Sequence, residues 1–268
     1  MADLVLDPTT SVELAPPPDT SHLITEDDTP VDNLFSEKQQ RLLTEPLYSS
    51  WRGPGDNRPF VAAANVGVFY HIDAPAIVPD AFLSLDVVMP EDWWKTEGRS
   101  YLIWAVGKPP DVVIEIVSNT KGGELTRKMQ LYAQMRVAYY AVYDPDTQIQ
   151  GTPLVIYQLQ GMDYVQTNEP WFHHIDLGLA LWEGEYEERS TRWLRWIDDD
   201  GNLIPTGRDR ANEEQTRADA ERTRADEERA RADAERTRAD EERTRADEER
   251  ARAERLAAQL RAAGIEPE

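Results

Sequence analysis

Residues 109–144 read PPDVVIEIVSNTKGGELTRKMQLYAQMRVAYYAVYD, and this stretch decides the fold. Its two ends, 111–117 and 138–144, are short runs rich in Val, Ile and Tyr and bounded by Pro or Asp, which is typical of strands. Between them, residues 124–135 carry apolar side chains at helical spacing, on one face of a helix. That face is formed by Leu125, Met129, Tyr132 and Met135. A strand, a helix and a second strand in one short stretch predict a βαβ unit with a right-handed crossover.

Further strands are predicted on both sides of this unit. They fall at 61–71, 79–88 and 153–159, and with the βαβ unit they predict an α/β fold whose mixed central sheet is flanked by helices. Upstream, LFSEKQQRLL predicts a short helix from Leu34 with Ser36 as its N-cap. After residue 160 the pattern is irregular and rich in tryptophan. Base stacking is one role for these rings, but filling the edge of the core is the favoured interpretation.

Composition excludes several classes of site. The 268 residues contain no cysteine, which rules out disulfides, thiolate zinc sites, iron–sulfur clusters and a cysteine nucleophile. No secretory signal pattern is present and no stretch reaches the roughly 20 apolar residues of a membrane-spanning helix, so we expect an unprocessed cytoplasmic protein without a membrane partner. The 51 acidic and 29 basic residues give a net charge of −22, which opposes binding to a phosphate backbone.

The two ends of the chain differ from its middle. Residues 1–34 are rich in Pro, Thr and Asp and contain no Lys or Arg, which predicts a disordered acidic leader. Residues 208–268 repeat RADEERA-like heptads whose only invariant small residue is one alanine each, with almost no larger apolar residue. Their opposite charges at i,i+3 and i,i+4 favour a single charged helix, with a weak coiled coil that forms a homo-oligomer as the alternative. The 35–207 region between them is the predicted globular domain.

The candidate chemistry lies on the strand 111–117. Alternation places Glu115 on the same face as Val113 and Val117, where a buried carboxylate needs a partner. A salt bridge to a basic residue and a role as ligand to a hard divalent cation remain equally open. Lys128, beside the apolar stripe of the helix, either folds back toward Glu115 or extends into solvent.

Other kinds of site have less support. His173 and His174 are adjacent, so on a strand they point to opposite faces, and no third zinc ligand has suitable spacing. The sequence lacks GxGxxG and GxxxxGK[ST] loops, and Ser118 has no GxSxG elbow.

The motifs resemble a known family. VPDAFLSLDV (78–87), PPDVVIEIVSNT (109–120) and RKMQLYAQMRVAYYAVYDP (127–145) are similar, in this order, to the Uma-two family of endonucleases, which has the PD-(D/E)XK restriction-endonuclease-like fold. The resemblance extends over roughly 35–268. It implies a nuclease that uses Mg²⁺ or Mn²⁺ to hydrolyse phosphodiester bonds of nucleic acid, with DNA as the expected substrate.

The resemblance also implies roles for individual residues. Asp80 and Glu115 are the implied metal-binding carboxylates, and both belong to the implied catalytic set together with Lys128. Lys128 takes the place of the motif lysine, because Val117 stands two residues after Glu115 where the family pattern has lysine. Asp111, Lys121 and one of Glu37 and Glu45 are weaker candidates. The alternative function is a non-catalytic interaction or assembly protein that retains this fold and uses its charged C-terminal helix to bind partners.

Overall fold

The computed structural model describes residues 19, 33–51, 53–55, 58–92, 95–118 and 124–262. Lys121 therefore lies outside the described residues, as does the predicted leader except for residues 19, 33 and 34. The elements, in chain order, are α1 (Leu34–Pro46), a π-helical turn (Leu47–Trp51), β1 (Phe60–Ala63), β2 (Val68–Phe69), β3 (Ala81–Leu85), α2 (Thr96–Arg99), β4 (Tyr101–Leu102), α3 (Ile103–Val106), β5 (Val112–Ile116), a second π-helical turn (Glu124–Lys128), α4 (Met129–Met135), β6 (Tyr139–Tyr143), β7 (Leu154–Gln160), β8 (Asp163–Thr167), β9 (Trp171–Phe172), β10 (Leu177–Tyr186), β11 (Arg189–Ile197) and α5 (Gly207–Ala262).

A six-stranded mixed sheet forms the centre of the fold. Its strand order is β1-β3-β5-β6-β7-β8, and β5 and β6 pair in parallel while the other neighbours are antiparallel. The parallel pair is the βαβ unit predicted from residues 109–144, with α4 in the crossover. The mixed α/β fold and the long C-terminal helix are thus confirmed.

Alternation along the strands gives the sheet two apolar faces. One face includes Phe82, Val113 and Tyr140 and packs beneath α4 with Tyr132 and Met135. The opposite face packs against α1 and the second, three-stranded sheet of β9, β10 and β11. Its central strand residues include Leu83, Ile114 and Ala141. Because Glu115 shares the side of Val113, it faces α4, as its position in the sequence predicted.

The second sheet was not predicted. Residues 177–197 form a long hairpin, β10 and β11, in the region where the sequence pattern looked irregular. Trp193 and Trp196 on β11 are buried, and the Trp196 indole donates a 2.7 Å hydrogen bond to the Leu43 carbonyl of α1. These two rings belong to the core, in agreement with the favoured interpretation.

Two local predictions are wrong. The strand 61–71 is two strands in different sheets, because the chain turns at Asn65, whose φ of 53° is left-handed. The N-cap of α1 is Asn33 rather than Ser36. The Asn33 Oδ1 atom accepts hydrogen bonds from the backbone N–H groups of Phe35 and Ser36, both at 3.0 Å, so Ser36 lies inside the first turn of the helix, where it is buried.

The charged repeat forms α5, a helix of 56 residues. At 1.5 Å per residue its length is about 84 Å. None of its residues is buried, and its ion pairs include Arg229 with Asp226 and Arg250 with Glu254. Contacts divide the chain after Gly207, so this helix is a separate unit. Among the described residues, no helix is long and apolar enough to cross a lipid bilayer.

Candidate active site

The antiparallel pairing of β3 and β5 brings two predicted carboxylates together. Ala81 pairs with Ile114, so Asp80, one residue before β3, lies opposite Glu115. The Asp80 Oδ2 atom accepts a 2.6 Å hydrogen bond from the Ile116 N–H. This bond ties the loop before β3 to the end of β5. Asp80 and Glu115 therefore face the same side of the sheet.

Glu115 is fully buried and has two partners from the following helix. The Lys128 ammonium lies 2.8 Å from one carboxylate oxygen, and the Tyr132 hydroxyl donates a 2.6 Å hydrogen bond to the other. The Lys128 side chain remains 28% exposed. Lys128 thus folds back to the sheet, and its nitrogen lies between the buried carboxylate and the surface.

A π-helical turn precedes α4 and ends at Lys128. Lys128 and Tyr132 are four residues apart, so they lie on the same helix face and reach the same carboxylate. Single π-helical turns within helices often occur at functional sites because they redirect side chains. The sequence indicated Lys128, whereas it indicated Tyr132 only as part of an apolar stripe. Its spacing from Lys128 was the signal that could have identified it.

Helix α1 contributes an amide to the site. The Gln40 Nε2 atom donates to Asp80 Oδ1 at 3.1 Å, and Gln40 Oε1 accepts from Asn65 Nδ2 at 2.8 Å. Gln40 is buried, so this amide holds one oxygen of Asp80 in place. Sequence reasoning missed both Gln40 and Asn65. The available signal was a glutamine on the buried face of α1, three residues before Leu43.

The two acids compete for protons. Burial and the negative charge of Glu115 raise the pKa of Asp80 to about 8, against the lowering effect of the Ile116 N–H and Lys128. Burial also raises the pKa of Glu115, although Lys128 and Tyr132 lower it. Since Glu115 receives both of these stabilising contacts, the proton shared by the pair resides on Asp80. Burial raises the pKa of Tyr132 well above its usual value, so its hydroxyl stays a donor.

Two adjacent carboxylates fit a divalent metal ion. Mg²⁺ is commonly held by one or two carboxylates while waters and substrate phosphates complete its shell. Among the described residues, no group of three or more His, Asp or Glu side chains could hold a metal. At this site the protein would thus supply two ligands, Asp80 and Glu115. A bound cation would replace the proton that the two carboxylates now share.

The weaker candidates have other contacts. Asp111 lies at the opposite end of β5, where its Oδ2 atom accepts from the Leu85 N–H at 2.8 Å and from Lys108 at 2.6 Å. Glu37 pairs with Arg41, and Glu45 accepts a hydrogen bond from the Gly207 N–H. None of these contacts is with Asp80 or Glu115.

A mixed sheet with a parallel βαβ unit, one carboxylate just before β3, a second on β5 and a lysine at the start of the crossover helix define a restriction-endonuclease-like protein. The chain belongs to the Uma2 family: the family model, described as "Putative restriction endonuclease", matches residues 26–180. The match includes α1, β3, β5 and α4 and ends within β10, so most of the hairpin and all of α5 lie outside it. A search of curated proteins finds no match.

Proposed function

We propose that the chain is a metal-dependent endonuclease that hydrolyses phosphodiester bonds of nucleic acid at Asp80, Glu115 and Lys128. The observation that carries the proposal is the convergence of these three side chains, from a loop, a strand and a helix, at one end of the sheet. A cytoplasmic setting is part of the proposal, since the chain has no cysteine that an oxidising compartment would pair.

Each residue has a role that its contacts support. Glu115 is held rigidly by Lys128 and Tyr132, and Asp80 by Ile116 and Gln40, so both carboxylates are preorganised. Lys128 is exposed enough to contact a phosphate oxygen or orient a water while its ammonium stays next to Glu115. These contacts position the reacting groups before substrate arrives.

Asp80 and Glu115 would hold Mg²⁺ or Mn²⁺. A bound ion of this kind polarises a phosphoryl oxygen and lowers the pKa of a coordinated water. The protein's own contribution is to hold two carboxyl groups close together in a mostly buried site, where a cation that displaces their shared proton gains most from them.

The charge of the domain bears on the substrate. Residues 1–207 contain 32 acidic and 14 basic residues, a net charge of −18. This charge opposes binding through phosphates alone, so DNA binding should depend on the divalent ion and vary only weakly with monovalent salt. DNA is the proposed substrate because the family is described as a restriction endonuclease.

Cleavage of DNA and RNA with Mg²⁺ or Mn²⁺ tests the proposal. We expect Glu115→Gln and Lys128→Ala each to reduce cleavage by at least about 100-fold, since each removes a charge from the reacting site. Asp111→Asn is the matched control, because it breaks a comparable lysine–carboxylate pair at the other end of β5. It should retain cleavage to within about threefold if its thermal unfolding shows a folded chain.

The competing function is an interaction protein that retains the nuclease fold. The observation in its favour is the long helix α5, which buries none of its residues. A wild-type chain that cuts no nucleic acid with either metal, or variants at Glu115 and Lys128 that cut as well as the wild type, would favour it over the endonuclease.

A further inference from the structure

An apolar cleft of about 750 Å³ opens beside the edge strand β1. Its volume lies within the range of about 300–1,000 Å³ that small-molecule sites occupy. Apolar and aromatic side chains from β1, β3 and the segment after β3 form most of its walls. They include Tyr48, Phe60, Val61, Phe82, Val88 and Met89. Val88 is 73% exposed, so the cleft is open to solvent.

The cleft lies near the candidate active site along the chain. Phe82 in its wall is two residues after Asp80 and points to the same side of the sheet. Val66, also in the wall, follows Asn65, which Gln40 links to Asp80. Phe82 is thus about 7 Å, two strand residues, from Asp80 along the backbone.

The charge of the molecule limits what can bind there. With a net charge of −18 in residues 1–207, phosphate contacts give little affinity, and an apolar surface must supply much of it. A nucleobase is the part of a nucleic acid that gains from an apolar, aromatic wall, because its faces stack on rings. The exposed Arg99 also lines the cleft, whereas the charge of Arg58, the other arginine in its wall, is balanced by a salt bridge to Asp86.

We propose that this cleft binds one unpaired nucleobase of a single-stranded nucleic acid whose neighbouring phosphate lies at Asp80 and Glu115. The inference rests on the proposed function and adds the form of the substrate. A base within a duplex has both faces covered by its neighbours, so only an unstacked base can enter the cleft. The chain therefore prefers single strands, or duplex sites where a base is already unpaired.

Binding of a fluorescein-labelled single-stranded DNA of about 15 nucleotides, with Ca²⁺ replacing Mg²⁺ so that substrate is not consumed, tests the inference. The full chain should bind it at least about tenfold more tightly than the corresponding blunt duplex. Val88→Glu should weaken single-strand binding at least about tenfold, and the uncharged Val88→Ser should weaken it about threefold.

Met162→Glu is the matched control. Met162 is 59% exposed in the β7–β8 turn, outside the cleft, so the substitution adds the same charge elsewhere. It should change binding by less than about twofold. Equal weakening by Met162→Glu and Val88→Glu, or tighter binding of the duplex, would overturn the inference.

Cleavage assays on the same variants separate this inference from the proposed function. Cutting that requires Glu115 but ignores both Val88 substitutions would reject the cleft and keep the endonuclease. Single-strand binding that requires Val88, in a chain that cuts nothing with Mg²⁺ or Mn²⁺, would keep the cleft and reject the endonuclease.

Discussion

At the scale of single residues, Glu115 is a buried charge held by two side-chain contacts. A fully buried carboxylate is costly unless charges and hydrogen bonds compensate it. Lys128 and Tyr132 each satisfy one of its oxygens. These two contacts explain why the structure tolerates an acid on the same strand face as Val113 and Val117. Lys128 contributes an opposite charge, and Tyr132 contributes a hydrogen bond.

Removing the tyrosine hydroxyl should destabilise the fold. We expect Tyr132→Phe to lower the free energy of unfolding by about 1.5–3 kcal/mol, because it removes a hydrogen bond to a charged acceptor that stays buried. Tyr164→Phe is the comparison, since the Tyr164 hydroxyl donates to the neutral Val137 carbonyl at 2.9 Å. That variant should lose only about 0.5–1.5 kcal/mol. Urea unfolding measures both values, and a larger loss for Tyr164→Phe would contradict this account.

Asp80 makes the stability of the metal-free protein depend on pH. Its pKa is about 8 in the folded chain, against 3.8 for an unperturbed aspartate, so between these values the folded state holds a proton that the unfolded state has released. The contribution of Asp80 to stability is therefore greatest below the lower value. It decreases as the pH rises toward 8, by at most about 1.4 kcal/mol per pH unit.

Asp80→Asn should remove this dependence. The uncharged amide needs no proton, so the variant should gain stability relative to the wild type as the pH rises from about 5 to about 8, and the difference should level off above that. Urea unfolding in the presence of a chelator measures the difference at each pH. A difference that stays constant across this range would show that Asp80 titrates normally in the folded chain.

The sequence located the charged residues of the site better than the amides. Glu115 could be placed because strand alternation fixes its face, and Lys128 because helical spacing puts it beside the apolar stripe. Gln40 and Asn65 reach Asp80 through contacts between residues 25 and 40 positions apart. Local periodicity carries no information about such contacts, which depend on how α1 packs against the sheet.

At the scale of elements, β1 shows how the sheet ends. This strand is at the edge of the six-stranded sheet, where unpaired backbone groups invite association with another chain. The Tyr48 hydroxyl occupies part of this edge: it accepts a 2.9 Å hydrogen bond from the Ala62 N–H and lies 3.1 Å from the Ala62 carbonyl oxygen. One side chain thereby satisfies both polar groups of an edge residue.

Tyr48→Phe tests the role of this hydroxyl. The ring can keep its stacking on Phe60, 4.9 Å between centroids, while the contacts to Ala62 are lost. We expect the free energy of unfolding to fall by about 1 kcal/mol and self-association to increase, because the edge is again unsatisfied. Urea unfolding and light scattering measure the two effects. Unchanged values in both would mean that water replaces the hydroxyl at no cost.

Strand predictions succeeded where the runs were apolar and bounded by Pro or Asp. β5, β6 and β7 agree with their predicted ranges to within one residue at each end, because they are central and rich in Val, Ile and Tyr. The hairpin of β10 and β11 was missed since Glu and Arg alternate with its apolar residues. The halves of both strands next to the hairpin turn face solvent, and only the ends away from the turn have buried residues.

At the scale of the whole molecule, the chain contains two units that are stabilised by different interactions. The part up to Gly207 has an apolar core, whereas α5 depends on its own charges and buries nothing. The one invariant apolar position per heptad is an alanine, as at Ala225, Ala232 and Ala239, and it gives a second helix little to pack against. Ion pairs along the helix surface are worth only about 0.2–0.5 kcal/mol each, but the repeat supplies many of them.

These properties predict a monomeric helix that weakens in salt. Sedimentation of the full chain should give the monomer mass over a roughly hundredfold range of concentration, because α5 has no apolar seam that would stabilise a coiled coil. The helical signal in circular dichroism should fall as NaCl rises from about 10 mM to about 1 M, since the Debye length shortens from about 30 Å to about 3 Å. A chain with Ala225→Leu, Ala232→Leu and Ala239→Leu is the positive control, because these changes build part of a seam and should promote association. A wild-type mass that rises toward the dimer, with a helical signal insensitive to salt, would show instead that α5 is a coiled coil and that the protein acts as a homo-oligomer.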